Sequence, residues 1–224
     1  MGRLSKKILA VWSVAVLATM LFGAQAVRAQ HVYQWDTGFI GERFNDSETT
    51  ETEDNWVGNA FQVVTGGTHL TSIDLGLGEN LTNRPVTVLI YIGEDISNPC
   101  AGGGLHDPIY QQDTTITGNI FDLHNIPLSP AVDLQVGDIF YAAILMRGVT
   151  GDIFPFLNDT SVALGHSFFD VGPAQGAPYD LTVQSWRHTV FGGTHPVVDS
   201  GVQSPGSLIL RVNSTGGPGI SIDE

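Results

Sequence analysis

The sequence predicts an all-β protein, a single sandwich of jelly-roll or other Greek-key type, and three observations carry that prediction. After residue 29, runs of strand length recur, some alternating and some continuously apolar, and no stretch carries an amphipathic helical period. The chain's 27 glycines and 11 prolines fall largely between these runs, with Asn and Asp, as turn punctuation. Several connections are too long for a hairpin turn, so strands must pair across long stretches of chain. An immunoglobulin-like sandwich is the alternative arrangement.

The leader, residues 1–29, stands outside that fold. Arg3, Lys6 and Lys7 precede a largely apolar run from Ile8 to Phe22, followed by the small residues of Ala24-Gln25-Ala26 and Val27-Arg28-Ala29. This is the grammar of a secretory signal peptide of bacterial style, with cleavage expected after Ala29. The apolar run falls short of the ~20 residues that span a bilayer, so a mature chain without a transmembrane segment is expected. Removing 29 of the 224 residues leaves 195, enough for one domain with a sizeable core and no staples.

Next comes an expected N-terminal strand, His31–Trp35, and an acidic segment, Asn45 to Asn55, that holds Asp46, Glu48, Glu51, Glu53 and Asp54 without an apolar residue. Such a stretch belongs in solvent, so residues 30–55 read as a strand plus loop ahead of a sandwich over 56–213. Expected strands there are Trp56–Val64, His69–Leu77, Pro85–Ile92, Ile120–Leu128, Ile139–Arg147, Leu164–Val171, Leu181–Val190 and Ser207–Asn213. Leu70 to Asp95 reads as a hairpin, two apolar runs around a polar loop in which Arg84 is the only basic residue. In its first arm Ile73, Leu75 and Leu77 alternate inward. Its second arm, Val86 to Ile92, and the run Ile139 to Met146 are apolar on both alternating faces, so each needs cover on both sides. Residues 214–224 are polar and Gly-rich, an expected loose tail.

Charge narrows the partners. Beyond the leader, Arg43, Arg84, Arg147, Arg187 and Arg211 are the only basic residues, with no lysine, so five positive charges face 23 acids for a net −18. A surface this acidic repels phosphate backbones and anionic lipids, which disfavours nucleic acid and membrane surfaces. The absence of lysine also removes Walker-type and Schiff-base chemistry. Cys100, alone in a Gly-rich loop, allows no intrachain disulfide.

From Trp56 to Val212 the order of signals resembles the bacterial exported domains called choice-of-anchor domains, most nearly the R type. WVGNAFQVVTGGTHLTSIDLGL is followed by PVTVLIYIGED, a Gly-rich loop, LSPAVDLQVGDIFYAAILM, SFFDVGPAQGAPYDL and the closing SLILRV. The resemblance implies a secreted β-sandwich, often tethered to the cell surface by a C-terminal signal, with no assigned activity. The chain ends in Ser221-Ile222-Asp223-Glu224 without an apolar span, basic stop or sortase-like motif, so release or non-covalent association is expected instead.

No catalytic residue is singled out. Gly165-His166-Ser167-Phe168-Phe169 lacks the closing glycine of a nucleophile elbow. The seven histidines form no zinc motif, and copper at His31 would need cleavage after Gln30 at a poor site. No cofactor is expected. A structural calcium on scattered acids would leave no linear trace, and Asp36, Glu42, Asp46 and Asp54 are its conceivable ligands, although solvated loop acids are the plainer reading.

Glycan binding is the positive case. A pyranose ring has an apolar face and a polar rim, so an aromatic beside hydrogen-bonding groups suits it. Tyr179 and Asp180, with Trp186 and Arg187 downstream, have those residue types, and Trp56 beside Asp54 and Asn55 is a second candidate; for each, an aromatic filling the core is the plainer reading. The function expected is therefore a non-catalytic secreted or envelope-associated module, engaging an extracellular glycan, an envelope protein or further copies of itself. A secreted hydrolase with a site assembled across strands is the alternative.

Overall fold

A computed structural model describes residues 30–44, 53–96, 105, 107–147, 155–161, 166–173, 179, 187–191 and 206–216. The leader, positions 45–52 of the acidic segment, Cys100 and positions 217–224 lie outside them. The described residues form strands without a helix: β1 (Gln30–Tyr33), β2 (Glu42–Phe44), β3 (Glu53–Gln62), β4 (His69–Gly76), β5 (Leu81–Gly93), β6 (Tyr110–Gly118), β7 (Leu123–Asp133), β8 (Ile139–Arg147), β9 (Phe156–Asp159), β10 (Ser167–Pro173), β11 (Arg187–Phe191), β12 (Ser207–Leu208) and β13 (Leu210–Thr215). All pairings are antiparallel, in sheets ordered β1-β13-β4-β7, β11-β10-β3-β8-β5-β6 and β12-β9-β2.

The four- and six-stranded sheets share one apolar core. Ile73, Leu75, Ile126 and Val212 come from the smaller sheet, and Val57, Phe61, Val88, Ile144 and Met146 from the larger. The period of two decides which side chains enter it: in β5, Val86, Val88 and Ile90 point inward, and in β8, Phe140, Ala142, Ile144 and Met146 do so. Ile73, Leu75 and Leu77 are inward, as the alternation predicts.

The two doubly apolar strands explain themselves on the other face. Leu89 and Tyr91 of β5, Tyr141, Ala143 and Leu145 of β8, and Trp56 and Ala60 of β3 form a second buried cluster on the outer side of the six-stranded sheet. Leu105, wholly buried, and the partly buried Ile96 and Tyr179 come from outside the strands to pack on it. Both faces of β5 and β8 are therefore covered, the condition such strands require.

The expected hairpin over 70–95 does not form. β4 pairs with β13 and β7, whereas β5 pairs with β6 and β8 in the other sheet, so the polar loop carries the chain from one layer to the next. Sequence proximity favours hairpins, but β5 buries both faces, and only the middle of the larger sheet offers that.

Three strands escape the sequence pattern. β6, YQQDTTITG, is a sheet edge with mostly polar side chains, while β2 and β9 are only three and four residues long. The N-terminal segment is integral to the layers. β1 pairs with β13, Tyr33 Oη donates to the Gly67 carbonyl at 3.0 Å, and Trp35 Nε1 donates to the Ala60 carbonyl at 2.8 Å. β3 starts at Glu53, so Asp54 and Asn55, expected in a solvated loop, are buried strand residues. At the other end β13 continues through Ser214 and Thr215, and Ser214 is buried, so the strand runs past the expected start of the tail.

Candidate functional site

An open cleft of about 410 Å³ lies against the outer face of the six-stranded sheet, where β5, β6 and β8 run close together and Tyr179 forms part of the wall. Its volume is in the range of small-ligand sites. Pro85 and Leu145 give it apolar surface; Arg84, Arg147, Thr87 and Asp113 give it polar groups.

The local sequence around Arg84 explains its position. The β5–β6 register shifts between Leu81 and Arg84, and Asn83 within that irregularity adopts φ +48°. Asparagine tolerates the left-handed region, and the bulge is held because Asn83 N donates to Thr117 Oγ1 at 2.8 Å. The β5–β8 ladder ends with Thr87 opposite Leu145, so the next facing residue on β5 is Pro85, which has no N–H to offer. The carbonyl of Arg147 is instead taken by Arg84 Nη2 at 2.6 Å.

Arg147 ends β8 and faces Asp54 of β3 in register. Its Nε and Nη2 donate to Asp54 Oδ1 and Oδ2 at 2.6 and 3.0 Å, a bidentate pair with the carboxylate wholly buried and the arginine half exposed. The hydrogen bond that Arg147 donates to Asp54 outweighs the cost of burial and holds the Arg147 guanidinium above its ordinary value. Arg84 is shifted the other way, because burial alone acts on it and lowers its pKa. Its Nε is buried without a hydrogen-bond partner, and it makes no ion pair among the described residues.

On the neighbouring edge strand, Asp113 stands opposite Thr87, whose Oγ1 donates to Asp113 Oδ1 at 2.7 Å. Tyr179 sits at φ +51° with its carbonyl accepting from Tyr91 Oη at 2.9 Å. Its ring packs edge-on against Trp56, centroids 5.7 Å apart. Thus the outer apolar cluster supports the aromatic wall.

Of the residues singled out from sequence, Tyr179 borders this cleft. Trp56 is fully buried beneath it, so it props Tyr179 and offers no platform to solvent; the middle of a sheet with covered outer face is where a large ring is buried most fully. Arg187 opens β11, and Asp180, Trp186 and Asp46 lie outside the described residues. Of the four acids considered for calcium, Asp36, Glu42 and Asp54 are among the described residues, and these three are not brought together. Asp36 accepts from Arg211 Nη2 at 2.5 Å and from Arg211 Nε, Asp54 is held by Arg147, and Glu42 is an exposed residue of β2. Among the described residues no group of three or more His, Cys, Asp or Glu side chains could hold a metal ion. No described helix is long and apolar enough to cross a membrane.

Arg84, Asp113 and Arg147 were missed as site residues. The available signal was the triplet Asn83-Arg84-Pro85, a rare cation placed between a turn former and a residue that cannot continue a ladder. Asp113 left none, since its role depends on β6 pairing with β5.

No family model matches the chain, and neither a curated protein nor a solved structure matches it.

Proposed function

We propose that the protein is a non-catalytic exported interaction module that binds a glycan in the cleft bordered by Arg84, Asp113 and Tyr179. The observation that carries this reading is a set of polar groups each fixed by a neighbour around an apolar floor. Arg84 is anchored on the Arg147 carbonyl, Arg147 on Asp54, Asp113 on Thr87 and Tyr179 on Tyr91. Donors and acceptors held this way lose little freedom on binding, which favours affinity. An apolar floor with an aromatic at its edge suits the C–H face of a sugar, and the charged rim suits its hydroxyls. Export is supported by the order of basic, apolar and small residues in the leader, and an envelope location by the resemblance to choice-of-anchor domains.

Titration of the chain beginning at Gln30 with a panel of neutral and acidic oligosaccharides, followed by intrinsic fluorescence, tests the reading. Saturable binding that weakens about tenfold or more in Tyr179→Ala, a loss of about 1.4 kcal/mol, is the expected result. A flat response across the panel would overturn it, and release of new reducing ends during the titration would overturn its non-catalytic part.

A further inference from the structure

We infer that the ligand of this cleft carries a single carboxylate on an otherwise neutral glycan, a uronic-acid-type sugar whose carboxylate meets Arg84. The inference rests on the binding reading above and adds the chemical class of the ligand.

Four arginines have described side chains, and three of them hold a carboxylate: Arg43 pairs with Glu79, Arg147 with Asp54 and Arg211 with Asp36. Arg84 is the exception. In a chain so rich in acids, a cation left without an ion-pair partner and partly stripped of water is costly, because burial without a paired counter-charge penalises the charged form. A bound carboxylate would supply that counter-charge through charge-assisted hydrogen bonds, the strongest class available to a guanidinium. Anchoring of Nη2 on the Arg147 carbonyl, with Nε buried, restrains the guanidinium beforehand, so its outer Nη donors are presented in one orientation.

The rest of the cleft argues for a sugar as bearer of that carboxylate. Asp113 uses Oδ1 on Thr87, and its other oxygen has no partner among the described residues; a carboxylate acceptor there calls for donors such as hydroxyls. Asp113 also argues against a second anionic group, which like-charge repulsion beside it would disfavour. The whole chain adds to this, since its acidic excess repels polyanions at long range. One carboxylate therefore fits where a repeating polyanion does not.

The test compares four probes on the chain from Gln30: an oligosaccharide ending in glucuronate, the same oligosaccharide ending in glucose, polygalacturonate, and a short peptide with a free carboxyl terminus. The glucuronate probe is expected to bind about tenfold more tightly than its neutral twin, the ratio a single hydrogen bond to a charged group confers. Arg84→Gln, shown folded by an unchanged melting profile, is expected to bring that ratio to about one, and Arg84→Lys to restore only part of it because the ammonium lacks the fork. Equal binding of the acidic and neutral probes by the wild type would overturn this inference while leaving the glycan module standing. Preference for polygalacturonate or for the peptide would also overturn it. Silence toward every probe would overturn both.

Discussion

Two arginine–carboxylate sites in this protein look alike as ion pairs and differ in what surrounds them. At Asp36, a buried carboxylate takes bonds from both Nε and Nη2 of Arg211 and from Gly38 N, and the arginine itself is only 21% exposed. At Asp54 the carboxylate is equally buried, but Arg147 is 53% exposed and its carbonyl holds a second guanidinium, Arg84, that has no carboxylate of its own. The first is closed: the arginine is paired and largely buried, and the pair ties the β1–β2 connection to β13. The second is open, and at the mouth of its cleft Arg84 forms no ion pair among the described residues, although Asp113 lines the same cleft and bonds to Thr87 instead. A paired, buried arginine makes a lock, and an unpaired one at an opening makes a candidate site.

Breaking the lock should have the largest effect. Arg211→Met leaves Asp36 buried without its cation and is expected to cost about 3–5 kcal/mol in urea unfolding, the usual penalty for orphaning half of a buried pair. Trp56→Ala should fall in the same range of about 3–5 kcal/mol, because it opens a cavity in the outer cluster under the cleft; an effect below about 1 kcal/mol would show that this cluster is not a true core.

The next effect is set by pH and again concerns the closed end. Burial would raise the Asp159 carboxyl, but bonds from the Ser161 and Thr37 hydroxyls and then from both backbone amides outweigh it and hold the group at about 2. A depressed carboxyl stabilises the fold above its unfolded value near 3.8, and that contribution fades as pH falls toward 2. Roughly 2 kcal/mol should be lost across that window, since each tenfold change in proton affinity corresponds to about 1.4 kcal/mol. Asp159→Asn should remove this part of the acid dependence, measured by denaturant midpoints from pH 5 to 2.

The smallest stability effect is expected at the open site. Arg84→Gln should change unfolding free energy by no more than about 0.5 kcal/mol, because it discards a partly buried, unpaired charge along with one hydrogen bond. A cost above about 2 kcal/mol, the scale of a broken buried network, would place Arg84 among the structural arginines and remove the contrast on which the cleft stands.

The sequence was most legible where one rule decides the outcome. Alternation identified the inward residues of β4, and continuous apolarity identified β5 and β8 as strands needing two covers, which the outer cluster supplies. It was misleading where two rules compete. Asp54 and Asn55 share an acidic run that reads as solvent-bound, yet an in-register arginine on β8 balances the charge of Asp54 and lets it be buried. Trp56 sits beside those polar residues like an exposed platform, but its place opposite Leu145 in the middle of the larger sheet buries it.

By itself the sequence determined an all-β chain, its principal strands and the excess of negative charge, because hydropathy period and composition are local properties. Which strands share a sheet, and therefore which side chains meet, was decided only in three dimensions. Arg84, Asp113 and Arg147 come from three strands far apart along the chain, and Tyr179 from a position beyond them outside any strand. Nothing in the chain between them announces that contact; long-range pairing of β5 with β6 and β8 creates it, because only the centre of a covered sheet can bury both faces of β5.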